Sequence, residues 1–229
     1  MNRRATTRRN FLKMSAALGA APWIVPSSVF GAKAPSNRVN VAHLGMGGRA
    51  NSLVGMFVRH DDVQILAICD CFAHRREEMR DKLNAKYGGD VVKAYADFRE
   101  VLSRDDVDAV VIATPDHWHV PLAIAAARTG KDMYVEKPLG VCMSWAERLR
   151  SELQAAKRVF QYGTQQRSNT AFRTACELVR NGYIGEIQRV EAWCPDMSTQ
   201  FDGFNVKPYG STEPAELPEG FDYDMWLGP

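Results

Sequence analysis

The first residues whose types and spacing could do chemistry are Gly45-Met46-Gly47-Gly48-Arg49-Ala50. They fit G-x-G-x-x-A, in which the first glycine makes a tight turn and the second lets backbone approach a pyrophosphate. The small sixth residue allows close packing of helix on strand. Amides exposed at the start of the following helix would receive the phosphates. Gly45, Met46, Gly47, Gly48 and Arg49 are therefore cofactor-binding candidates. Asp70 lies at about the ~20-residue spacing at which a carboxylate accepts hydrogen bonds from a ribose and repels a 2′-phosphate. That predicts NAD, with NADP disfavoured. Arg75 and Arg76 follow closely and are read as solvated helix-surface residues.

Three further segments carry reactive side chains. Thr114-Pro115-Asp116-His117-Trp118-His119 offers a hydroxyl, two imidazoles and an indole, and Glu136-Lys137-Pro138 offers an ammonium beside a carboxylate. Gly163-Thr164-Gln165-Gln166-Arg167 adds amides and a fixed positive charge. A lysine in a partly dry cleft can exchange a proton with a substrate hydroxyl. Neighbours on a strand point to opposite faces, so Glu136 and Lys137 are not automatically an ion pair. Lys137 and His119 are the catalytic candidates. Thr114, Pro115, His117, Trp118, Glu136, Gln165 and Arg167 join the cofactor-binding set.

These residues need elements to bring them together. Arg38–Leu44, Val63–Cys69, Ala109–Ala113, Met133–Val135 and Val159–Tyr162 read as short, continuously apolar strands. Helical patterns over 50–59, 73–87, 98–103, 120–129 and 144–156 separate them. Strands alternating with helices predict an α/β fold, a doubly wound parallel sheet covered on both faces. Ligands of such sheets bind outside the carboxyl ends of the strands, where every segment named above would lie. Thr170–Asn181 predicts one more helix. The polar-apolar alternation of Gly185–Trp193 predicts a strand opening a second domain, and residues 202–224 read as a long loop. The expected organisation is a leader over 1–34, a dinucleotide-binding domain over 35–162 and part of a substrate domain over 163–229.

Composition agrees with this reading. Of 229 residues, 45% are hydrophobic and 24% charged, which excludes disordered and collagen-like chains. A net charge of +2 is too small to suggest nucleic acid. Residues 1–34 hold six basic side chains and no acid, so removing them takes the charge from +2 to −4. Their apolar run, Met14–Val25, is shorter than the roughly 20 residues of a membrane span and suits an export signal. Just before it, Thr7-Arg8-Arg9-Asn10-Phe11-Leu12-Lys13 resembles a twin-arginine signal, a route that carries folded proteins. The Tat machinery is thus an expected partner, and the expected location is periplasmic or otherwise extracytoplasmic. Cys69, Cys71, Cys142, Cys176 and Cys194 include no CxxC pair and read as small buried hydrophobes, with no metal site expected.

Taken together, these motifs resemble the Gfo/Idh/MocA family of nicotinamide-dependent oxidoreductases, from about Arg38 to the last residue. Glu136-Lys137-Pro138 is the most specific marker. The resemblance implies a Rossmann domain holding NAD(P), followed by an α/β domain with an open sheet behind the substrate. It also implies a homo-oligomer and a sugar or polyol substrate. Lys137 would assist proton transfer at the reacting hydroxyl, with Thr114, Pro115 and His119 beside the nicotinamide. Asp116 stands where the family commonly has Asn. No histidine follows His119, whereas the family's usual acid/base histidine lies in the second domain. The expectation is a truncated chain, inactive or nearly so by itself. Two rivals share these residues: an NAD-dependent glycosidase that oxidises, eliminates and reduces again, and a non-catalytic binding protein.

Overall fold

A computed structural model describes residues 37–193 and 214–228. Six strands form one all-parallel sheet: β1 (Val39–Leu44), β2 (Val63–Cys69), β3 (Lys93–Tyr95), β4 (Ala109–Ile112), β5 (Asp132–Glu136) and β6 (Phe160–Gly163). Their spatial order is β3-β2-β1-β4-β5-β6, which reverses direction beside β1. Helices α1 (Gly48–Phe57), α2 (Ala73–Tyr87), α3 (Phe98–Leu102), α4 (His119–Arg128) and α5 (Met143–Ala156) make the crossovers. Helix α6 (Thr170–Arg180) follows β6, and α7 (Tyr223–Leu227) lies near the end of the described chain.

The strands form here because their apolar runs have a helix to bury against on each face. Ala50, Val54, Met79 and Leu83 of α1 and α2 pack with Ile65 and Ile68 on one side. Val120, Leu122 and Leu149 of α4 and α5 pack with Val110, Ile112 and Met133 on the other. Register then aligns the strand exits. Leu44 pairs with both Cys69 and Ile112, Ile112 with Val135, and Glu136 with Gly163. The residues after these ends therefore share one edge of the sheet.

Two expectations for the chain beyond β6 are corrected. Residues 187–193 are not a strand, and Val190 and Trp193 are exposed. An alternating segment needs a neighbouring strand for its amides and a core for its apolar face, and no described strand pairs with it. Residues 223 and 224, the expected end of the loop, instead open helix α7, because the Asp222 carboxylate accepts from Met225 N at 2.9 Å and caps it. The intervening 194–213 lie outside the described residues.

One of the buried polar residues lies in the core without a hydrogen-bond partner. His43 on β1 is 1% exposed, neither ring nitrogen has a hydrogen-bond partner, and its ring meets Phe57 edge-on at 5.5 Å. Burial alone holds its imidazole down at about 3, against 6.5 when solvated. The folded chain thus keeps His43 neutral while the unfolded chain takes up a proton below pH 6.5. Stability is lost as pH falls from 6.5 towards 3, at about 1.4 kcal/mol per unit, so about 2 kcal/mol is gone by pH 5. His43→Leu is expected to remove that component. Urea titrations of both proteins at pH 7 and pH 5 check it, and equal pH dependence would contradict it.

Candidate functional site

The turn between β1 and α1 is tied to both neighbouring strands. Gly45 N donates to Cys69 O at 2.8 Å, and Ala113 N donates to Leu44 O at 2.9 Å. Gly45 has φ +91, and a Cβ there would lie 2.7 Å from Ala113 O. Only glycine permits so close a crossing of backbones. Gly47 and Gly48, by contrast, face open space, and a methyl added at either would meet no atom within 4 Å. Gly47 precedes α1 with no side chain capping the helix, so the first-turn amides are directed at that space.

Asp70 stands at the exit of β2, 8% exposed. Its Oδ2 accepts from Met46 N at 2.6 Å and its Oδ1 from Phe72 N at 2.8 Å. The carboxylate therefore knits the glycine turn to the loop after β2; Oδ1 also accepts from Cys71 Sγ at 3.8 Å, and Oδ2 retains a lone pair. The Met46 side chain is buried in the core and its amide already serves Asp70. Arg76 donates to Asp70 O at 3.1 Å, and the Arg75 guanidinium lies 4.2 Å from the centre of the Phe72 ring. Both arginines have definite partners, not the purely solvated role expected of them.

The loop after β4 holds an unpartnered group. Thr114 Oγ1 is buried and makes no hydrogen bond within the described residues, which leaves it free to take a partner from outside the chain. His119, 1% exposed, places Nε2 2.9 Å from Thr114 O and Nδ1 2.6 Å from Pro138 O. Both partners are carbonyls, which only accept, and neither nitrogen is left for a substrate. His119 binds the loop after β4 to the loop after β5.

Glu136 is paired with Arg49 rather than Lys137. Arg49 Nε donates to Glu136 Oε1 at 2.7 Å, and Tyr134 OH donates to the same oxygen at 3.1 Å. Burial works against the Arg49 charge, but the bond and charge of Glu136 outweigh it and stabilise the cation. Burial, reinforced by Glu136, pushes the Tyr134 phenol up. Glu136 Oε2 also accepts from Lys137 N at 3.2 Å, so the lysine's main chain is fixed while its side chain is exposed.

One cavity brings Gly45, Asp70, Thr114, Pro115 and Trp118 together, with Leu44, Phe98, Leu122, Met225 and Trp226 as apolar walls. Arg49, Tyr134, Glu136 and Lys137 are bonded to one another at the exit of β5 and do not line this cavity. His117 instead lies against residue 226, its Nε2 2.9 Å from Trp226 O. Gln165 and Arg167 are exposed on the turn after β6, where Arg167 borders a separate groove with Phe172. The sequence reading missed Tyr134, Met225 and Trp226. The alternation of β5 could have placed Tyr134 on the Glu136 face, but no local signal marks the other two. An unpartnered hydroxyl, open glycines and an uncapped helix start beside a carboxylate fit the ribose and pyrophosphate of a dinucleotide.

Comparison with known proteins agrees with this geometry. A family described as "Oxidoreductase family, NAD-binding Rossmann fold" matches residues 39–164. A twin-arginine translocation signal matches residues 5–22, which addresses the chain to the periplasm or another extracytoplasmic space. A "Glycosyl hydrolase family 109 protein" of a Shewanella species is 31% identical over 218 residues, covering 81% of this chain and 45% of that protein. The "Alpha-N-acetylgalactosaminidase" of Shewanella oneidensis has the same identity and coverage. An NAD binding oxidoreductase from Klebsiella pneumoniae superposes with TM-score 0.54 at 27% identity, over 65% of this chain and 40% of that one. The chain spans about half the length of the curated relatives it matches, 45%. No helix among the described residues is long and apolar enough to cross a membrane.

Proposed function

Since this chain belongs to the Gfo/Idh/MocA oxidoreductase family, we propose that it holds NAD along the carboxyl edge of its sheet and oxidises or reduces a sugar-like alcohol. The observation that carries the reading is the buried, unpartnered Oγ1 of Thr114, a residue that lines the same cavity as Gly45 and Asp70. Bound NAD would supply the hydride acceptor. The chain's own residues bind and orient. The first-turn amides of α1 receive the phosphates, Asp70 accepts from the ribose and Thr114 Oγ1 gains its missing partner. Lys137 Nζ hydrogen-bonds the reacting hydroxyl and exchanges its proton. His119, with both nitrogens engaged, is a positioning residue that holds the two loops in register. Residues 163–229 are proposed to begin the substrate domain, and the whole protein to form a homo-oligomer.

NAD over NADP follows from charge. A 2′-phosphate would approach the Asp70 carboxylate, while Arg75 lies against Phe72 and Arg76 is bonded to the Asp70 carbonyl. NADH is expected to bind at least tenfold tighter than NADPH, about 1.4 kcal/mol or more. Fluorescence titration with each nucleotide decides this, and equal affinities would refute the preference.

The names of the Shewanella relatives favour a second reading, in which the same hydride removal activates a sugar for elimination of its leaving group and is then reversed. A dehydrogenase would accumulate NADH with substrate. A glycosidase would release the leaving group with no net NADH. Incubating the full-length protein with free sugars and with aryl glycosides separates the two.

A further inference from the structure

Residues 214–228 return to the edge of the sheet that carries the site. Phe72 and Phe221 form an antiparallel bridge, flanked by Ala73 N donating to Gly220 O at 2.9 Å and Asp222 N donating to Cys71 O at 3.0 Å. The two phenyl rings stack at 4.0 Å and 12°. A few residues later Trp118 Nε1 donates to Met225 O at 2.9 Å. The segment is thereby fastened at one end to the loop after β2 and at the other to the loop after β4. Between the fastenings, Met225 and Trp226 line the cavity that also contains Asp70 and Thr114.

We propose that residues 220–228 are a clasp, forming the outer wall of the adenosine end of the cofactor site and setting how fast the nucleotide leaves. This rests on the NAD reading above. Asp70 locates the adenosine ribose, so the apolar space beside it is where a purine would lie. Trp118 and Trp226 offer it aromatic surface, and a methionine fills irregular gaps. Without the clasp that space has Phe98, Leu122 and Trp118 behind it and water in front. With it, a bound purine cannot leave until Trp226 moves. Trp226 is held through its carbonyl by His117 and through its edge-on contact with Phe221. Trp226 remains 37% exposed, so the wall can swing outward without disturbing the core. Slow release has a use in a protein exported folded, since a nucleotide lost outside the cytoplasm is not replaced there.

The test compares the full-length protein with Trp226→Ala, Phe221→Ala and Leu217→Ala. Leu217 lies exposed on the same segment and does not line the cavity. Each is loaded with NADH and chased with excess NAD while fluorescence reports release, and apo thermal stability is recorded alongside. Trp226→Ala and Phe221→Ala are expected to release NADH about tenfold faster, because affinity changes within one interface reside mostly in dissociation. Leu217→Ala should stay within about twofold. Should either alanine variant fail to fold, Phe221→Leu, which loses the stack but keeps an apolar contact, carries the same expectation. Unchanged release with normal NADH binding would overturn the clasp and leave the cofactor reading standing. A parent protein that neither binds NADH nor yields nucleotide on denaturation would overturn both.

Discussion

Gly45→Ala is expected to cost the fold about 2–5 kcal/mol, and Gly47→Ala two residues away almost nothing, while both abolish or cripple nucleotide binding. At Gly45 a methyl would lie 2.7 Å from Ala113 O, 2.8 Å from Ala113 C and 2.9 Å from Thr114 N. All three are backbone atoms at the exit of β4, held by the Ala113 to Leu44 hydrogen bond, and cannot rotate aside. Overpacking of that kind costs roughly 1–3 kcal/mol, and the left-handed conformation adds roughly 1–2 for any L side chain. Against a typical stability of about 5–15 kcal/mol, that is a large fraction. At Gly47 φ is −72 and no atom lies within 4 Å of the added methyl. Stability should change by less than about 0.5 kcal/mol. The same methyl would stand where a phosphate must approach backbone, so NADH affinity is expected to fall at least tenfold, about 1.4 kcal/mol. Urea unfolding paired with NADH titration measures both. A Gly47→Ala protein that binds NADH normally would show that the pyrophosphate does not lie on this turn.

Lys137→Ala should separate chemistry from structure in the opposite sense. The side chain is exposed and no described residue forms an ion pair with it, so removing it leaves packing intact. Its main chain is held by Glu136, and Glu136 is held by Arg49 and Tyr134. A proton-exchanging group contributes typically about 10²–10⁴-fold to rate. The expected result is a kcat loss of that size in the full-length protein, with NADH affinity and unfolding midpoint unchanged. Full activity in the variant would remove Lys137 from the mechanism. A matched loss of NADH affinity would reassign it to cofactor binding.

Much of the site was legible because its determinants are local. A glycine pair between an apolar run and a helical pattern can hardly do anything but turn, and a carboxylate at the next strand exit is placed by the crossover length. The strand exits were legible too, since continuous apolar runs mark a sheet covered on both faces. What escaped depends on partners distant in sequence. Arg49 and Glu136 sit 87 residues apart, and nothing near either announces the other. His119 read as a reactive imidazole because its two carbonyl partners are supplied by folding. The three residues of β3, Lys93–Tyr95, are too few to show a period. Gly185–Trp193 has the alternation of a strand without a neighbouring strand to pair with, and pattern alone does not make a ladder. The Asp222 cap of α7 was readable in principle, as an aspartate three residues before the amide it serves.

The clasp also has a consequence in time. The ribosome delivers the chain from its amino end, so every strand of the sheet is made before Phe221 and Trp226 emerge. At roughly 5–20 residues per second, the interval between completing β6 and delivering the clasp is on the order of several seconds. During that interval the glycine turn, Asp70 and Thr114 can assemble with the outer wall still absent. A site that would be slow to fill once closed is therefore open while the protein is being born in the compartment where nucleotide is plentiful. The order of the sequence itself lets loading precede locking.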